Sequence, residues 1–101
     1  MPKTSLISAD SLLAVDIGSI TTRAVLFDVV DGRYRFIGAG TSPSTVDSPF
    51  YDAGVGVRKA INFLEFITGR VIILDDGEMV MPSTPDGYGV DAFALSTSAG
   101  P

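Results

Sequence analysis

Residues 12–28, "LLAVDIGSITTRAVLFD", place an acid, a glycine, three hydroxyls and an arginine between two apolar runs. Those residue types at that spacing suit phosphate chemistry. Gly18 has no Cβ to keep an anionic oxygen from the backbone. Successive N–H groups from Gly18 through Ile20 to Thr21, with the hydroxyls of Ser19, Thr21 and Thr22, would line a concavity fit for phosphate oxygens. Asp16 would hold a hydrated Mg²⁺, which takes one or two carboxylates and leaves its other positions to water and phosphate. Arg23 adds a fixed positive charge. The same residues also describe an ordinary hairpin turn with Asp16 capping its own loop, and spacing alone leaves both readings open.

The elements that must position these groups follow from the apolar pattern. Leu12 to Ile17 is a short apolar run broken only by Asp16, as in a strand buried on both faces. From Thr22 to Val30 the chain alternates, with Arg23, Val25, Phe27 and Val29 on one face. Asp31-Gly32 is a type I′ hairpin signal. A third strand runs from Arg33 to Gly40, with Tyr34, Phe36 and Gly38 expected on one side and Arg35, Ile37 and Ala39 on the other. Thr41 to Pro49 reads as a crossing loop.

A helix is expected from an N-cap at Asp52 to a terminating Gly69. Its apolar face is Val57, Ala60, Ile61, Leu64 and Ile67, with Arg58, Asn62 and Glu65 opposite and Phe66 out of place in the polar sector. Val71 to Leu74 and Glu78 to Met81 flank "DDG" as a second small hairpin. Val90 to Thr97 is strand-like and, returning after a helix, should pair parallel to the first strand. The fold class is α/β, a mixed sheet in the order β-β-β-α-(hairpin)-β with helix cover on one face.

Composition excludes several other chemistries. The 101 residues are enough for one small domain, and 46% apolar against 19% charged residues describes a folded chain. With no cysteine or histidine there are no disulfides, thiolate nucleophiles, His-based triads or Cys/His metal sites. A net charge of −5 argues against nucleic-acid and anionic-membrane partners. Residues 1–13 fit neither a signal peptide nor a membrane span, which makes a cytoplasmic location the expectation. "GVG" at residues 54–56 and "GAG" at residues 38–40 lack the strand-glycine-helix context of a dinucleotide loop and read as structural. Asp75, Asp76, Glu78, Asp86 and Asp91 fall around turns and read as solvated loop acids.

"DIGSITTRAVLFD" resembles the first phosphate loop of the actin, sugar-kinase and heat-shock-chaperone ATPase superfamily, whose subdomain order matches the one above. Within it, "STVDSPFYDAGVGVRKAINFLEFITGR" and "GVDAFALSTSAG" resemble the MutL family, accessory proteins of adenosylcobalamin-dependent glutamate mutase, similar to the large subunit of diol dehydratase reactivase. The resemblance implies a ribonuclease-H-like (actin-like ATPase) half-domain. It makes residues 1–11 an amino-terminal tail and 12–101 an amino-terminal subdomain, with the remainder of the same protein as a partner.

By the same resemblance Asp16 is the catalytic and Mg²⁺-binding acid, and Gly18, Ser19, Ile20, Thr21, Thr22 and Arg23 contact ATP. Ile20 stands where many members carry a hydroxyl, so only its N–H remains. The implied ligands are Mg²⁺ and ATP, in a half-site, and the implied partner is a cobalamin-dependent mutase. An uncovered sheet edge would also favour self-association of the chain. Two other functions fit the same loop: a small-molecule kinase of the sugar type, and a non-catalytic protein that binds nucleotide in order to assemble.

Overall fold

The computed structural model describes residues 10–46 and 52–98. It contains β1 (Ser11–Ile17), β2 (Thr21–Val30), β3 (Arg33–Pro43), α1 (Ala53–Thr68) and β4 (Ala92–Thr97). The sheet order is β3-β2-β1-β4, with β2 antiparallel to both β1 and β3, and β4 parallel to β1 as expected.

Local signals set the element ends. Asp31 and Gly32 both have positive φ, 54° and 74°, as a type I′ turn requires. The Asp52 side chain accepts from the Gly54 amide at 2.9 Å and starts α1, and Gly69 ends it in the left-handed region with φ 75°.

α1 packs over β2 and β3. Between them Leu13, Val15, Ala24, Leu26, Ala60, Ile61 and Leu64 form a core that Ile72 and Val90 complete from the segment after the helix. Each fully buried leucine or isoleucine contributes about 1.5–3 kcal/mol through removal from water. "GAG" serves this packing. A Cβ on Gly40 would lie 2.4 Å from the Ala60 carbonyl oxygen and 2.6 Å from the Leu64 nitrogen, so the helix backbone rests directly on the strand.

The structure corrects several expectations. Ile37 is skipped in the β2–β3 register, a bulge that puts Tyr34 and Phe36 on the outer face against Phe27 while Gly38 pairs with Leu26 and faces the helix. The strict alternation read along β3 therefore fails at that residue. β3 also continues to Pro43, because Thr41 and Ser42 keep pairing with Arg23 and Thr22. Residues 47–49 of the expected crossing loop lie outside the described residues. The second hairpin is present but short, an antiparallel bridge of Ile73 with Met79 flanked by the Leu74 amide on the Glu78 carbonyl at 2.9 Å and the Val80 amide on the Ile72 carbonyl at 2.8 Å, while Val71 bridges separately, in parallel, to Tyr88.

Ile67 is 51% exposed, since it overhangs the edge strand β3. Glu65, placed on the polar face by its spacing, is occupied instead: its carboxylate accepts the amides of Ile72 at 2.7 Å and Ile73 at 3.0 Å and ties the following segment to the helix. Phe66 is 85% exposed, as its position on the wheel predicts.

Asp91 is likewise no free loop acid. It accepts from the Ser83 amide and hydroxyl, the Asp10 amide and the Ser11 hydroxyl, and so joins the start of β1 to the start of β4. Burial pushes its carboxyl up, but these hydrogen bonds outweigh burial and hold it below the ordinary 3.8. A carboxyl depressed on folding stabilises above its unfolded pKa and loses that contribution as pH falls through the lower folded value. Asp91→Ala is therefore expected to cost about 1–3 kcal/mol at pH 6. The gap from wild type should narrow at pH 3 and below. Urea unfolding of both proteins at the two pH values measures it, and a gap independent of pH would remove Asp91 from the acid response.

Candidate functional site

The candidate site lies where β1 and β4 end side by side. Both strands run the same way, so Asp16 and Ile17 meet Ser96 and Thr97 at their carboxyl ends, the end of the one parallel pair in this mixed sheet and the side on which ligands bind in open α/β folds. The turn from β1 to β2 closes over this edge. The Gly18 amide donates to the Thr21 carbonyl at 3.0 Å, and a Cβ at Gly18 would lie 2.6 Å from that same oxygen, so the turn requires glycine on steric grounds.

The structure separates the residues that the sequence grouped. Asp16 and Arg23 are register partners across β1 and β2 and share the outer face of the sheet, although no ion pair joins them. Ser19, Ile20 and Thr21 are exposed at the tip of the turn, Ile20 at 81%. The amides of Ser19 and Ile20 donate to nothing among the described residues, which leaves two adjacent N–H groups for an anion. Gly18 has its own amide committed to the turn.

Thr22 does not join this group. It is fully buried on the helix side, and its hydroxyl lies 2.8 Å from that of Ser44. Ser44 Oγ gives its proton to the Gly18 carbonyl at 2.6 Å, so Thr22 must be the donor to Ser44. With the Ser44 amide also donating to the Ile20 carbonyl at 2.7 Å, this chain braces the turn from beneath. Alternation along β2 carries the reason: Thr22 and Arg23 are neighbours and must face opposite ways.

Asp16 is not a cap for its own turn. Its carboxylate accepts instead from β4 and the residue just after it, Oδ1 from the Ser96 hydroxyl at 2.9 Å and Oδ2 from the Ser98 hydroxyl at 3.1 Å. Both serines lie in the stretch "GVDAFALSTSAG" that resembles the MutL family, but the resemblance gives neither of them a role. The usable signal is the parallel register, which makes Ser96 the partner of Asp16. Below them the outer face holds a shallow recess of about 170 Å³, with Ala14, Val25 and Ala94 along it and Asp16, Arg23 and Ser96 at its polar end. That is smaller than a pocket that encloses a drug-sized ligand, about 300 Å³ or more.

A metal here would be held mostly by water and by its ligand, since no cluster of three or more metal-binding side chains occurs among the described residues. A single carboxylate with hard oxygens, set at a strand end beside free amides, fits Mg²⁺ carried in with a phosphate. No helix among the described residues is long and apolar enough to cross a membrane.

Residues 12–101 match the family described as MutL protein. The chain belongs to the MutL family. No curated protein matches the sequence. The MutL match takes in α1, β2, β3, β4 and all of β1 except Ser11, and includes both halves of the site, the turn after Asp16 and the serines at the end of β4. It is the family that the residues of the loop, helix and last strand resemble.

Proposed function

We propose that this chain supplies the first phosphate-binding side of an ATP-dependent accessory protein for an adenosylcobalamin-dependent mutase of the glutamate mutase type. Membership of the MutL family supports the mutase-accessory role. One observation carries the nucleotide role: Asp16 stands at the carboxyl end of the parallel β1–β4 pair, next to the unpaired amides of Ser19 and Ile20, with Arg23 across the strand.

In this reading the two amides and Arg23 hold phosphate oxygens, and Asp16 holds a water-bound Mg²⁺. Mg²⁺ supplies charge neutralisation of the phosphates and Lewis-acid activation of the transferred group. The recess on the outer face is too small for a whole nucleotide, so a second part of the protein closes over the other side. That closure couples nucleotide state to the partner, and exchange of damaged cobalamin on the mutase is the work it drives. The wider kinship is with the actin, sugar-kinase and heat-shock-chaperone ATPases, with their ribonuclease-H-like layering.

Calorimetry of the intact protein with ATP, with and without Mg²⁺, tests the nucleotide role, and sedimentation with purified cobalamin-loaded glutamate mutase tests the partner. The expected results are Mg²⁺-dependent ATP binding and a mutase complex whose affinity changes between ATP and ADP. Absence of Mg²⁺-dependent binding overturns the nucleotide role. Turnover that requires a small hydroxylated substrate would make the protein a kinase instead.

A further inference from the structure

The Asp16 carboxylate is held at both oxygens by hydroxyls from the end of β4 and the residue just past it, and nothing in the phosphate-loop pattern requires that. Ser96 is its register partner on β4 and Ser98 follows two residues later. Both serines are themselves fixed. Ser96 sits inside the parallel ladder, and the Ser98 amide donates to the Ile17 carbonyl at 2.9 Å. Ser98 also packs beside the turn, since its hydroxyl would lie in ordinary contact, 3.6 Å, with a Cβ placed on Gly18. All three polar side chains remain at least partly exposed to solvent, within reach of a ligand.

An ionised carboxylate offers about four lone-pair sites. Two are taken by the serine hydroxyls, which fixes the plane of the group, and two remain for water on a cation. A carboxylate free to rotate about its last side-chain bond would spend much of its time misdirected. Held by two donors, it presents the same two lone pairs continuously, as the outer partners of metal ligands do in general.

From this geometry we infer that Ser96 and Ser98 are positioning residues that orient Asp16 toward a Mg²⁺-nucleotide, so that the end of β4 sets the Mg²⁺ requirement of the site. The inference rests on the nucleotide role proposed above.

The test is the Mg²⁺ dependence of ATP binding by the intact protein, titrated for wild type, Asp16→Asn, the double variant Ser96→Ala/Ser98→Ala, and Ser96→Thr/Ser98→Thr. The alanine pair is expected to raise the half-saturating Mg²⁺ concentration by about tenfold or more. Affinity at saturating Mg²⁺ should stay within about twofold, and the threonine pair should restore most of the loss, because threonine keeps the hydroxyl. A purely structural role for the serines would lower the melting temperature without moving the Mg²⁺ midpoint. Should the alanine pair fail to fold, the two single alanine variants take its place, each expected to shift the midpoint part of the way.

If Asp16→Asn moves the Mg²⁺ midpoint and the serine variants do not, the positioning role is wrong and the nucleotide role stands. If Asp16→Asn also leaves it unmoved, the nucleotide role itself falls.

Discussion

Asp16→Ala in the intact protein is expected to remove Mg²⁺-dependent ATP turnover, by about 100-fold or more, while the protein melts close to wild type. The two halves of this expectation come from different contacts. For activity, Asp16 places its carboxylate at the mouth of the β1–β4 edge, and among the described residues no group of three or more acids forms a metal-binding cluster there. Loss of charge stabilisation at a reacting phosphate costs about 2.7–4 kcal/mol when a single preorganised group is removed, which sets the fold-change. For stability, Asp16 gives up hydrogen bonds to two exposed serines, and both hydroxyls can turn to water. Exposed bonds of that kind are worth about 1 kcal/mol or less each. Functional acids are often neutral to stability for this reason. A variant that melts well below wild type yet hydrolyses ATP at the normal rate would make Asp16 a structural residue.

Gly40 should behave in the opposite way. Gly40→Ala puts a Cβ against two backbone atoms of α1, the Ala60 oxygen and the Leu64 nitrogen, and backbone cannot turn aside as a side chain can. The helix must lift from β3, which opens the packing around Ala60 and Leu64, both fully buried. Overpacking of this kind costs about 1–3 kcal/mol, with the upper end expected where backbone is the obstacle. For a domain of this size each kcal/mol lowers the melting temperature by about 4–8 °C, so a drop of about 10 °C or more is expected at that upper end. Gly38→Ala is the control. Its nearest neighbour is the Thr68 Cγ2 methyl at 2.9 Å, the end of a side chain near the helix terminus, so the cost should be smaller. Circular-dichroism melts of both variants decide the point, and equal melting temperatures would mean that the Gly40 contact does not set the position of the helix.

What was legible in the sequence was local. Asp52 and Gly69 mark the ends of α1 because a cap is a contact over a few residues, and Asp31-Gly32 marks its hairpin for the same reason. The parallel return of β4 followed from connectivity. The misses were of another kind. Ile37 leaves the alternation of β3 through a bulge that only the paired strand reveals. Glu65 and Asp91 looked like surface acids because their partners, Ile72 and Ile73 in one case and Asp10, Ser11 and Ser83 in the other, depend on how distant segments are laid together. At the site the same division holds. Asp16 and its turn stand out as a motif, whereas the burial of Thr22 depends on which face of β2 the helix covers, and the serines that hold Asp16 depend on the register of β4.

That register has a consequence for the order in which the protein is made. The hairpins β1–β2 and β2–β3 close over short spans and can form early, but the Asp16 carboxylate meets its serines across 80 and 82 residues of chain. Contacts of such long separation form late, because the entropy of closing a large loop has to be met before the contact rewards it. On the ribosome, at about 5–20 residues per second, the turn after Asp16 is therefore present for several seconds before residue 98 exists. A nascent chain carries the turn after Asp16 early, and the carboxylate gains its two serine donors only when β4 docks against β1.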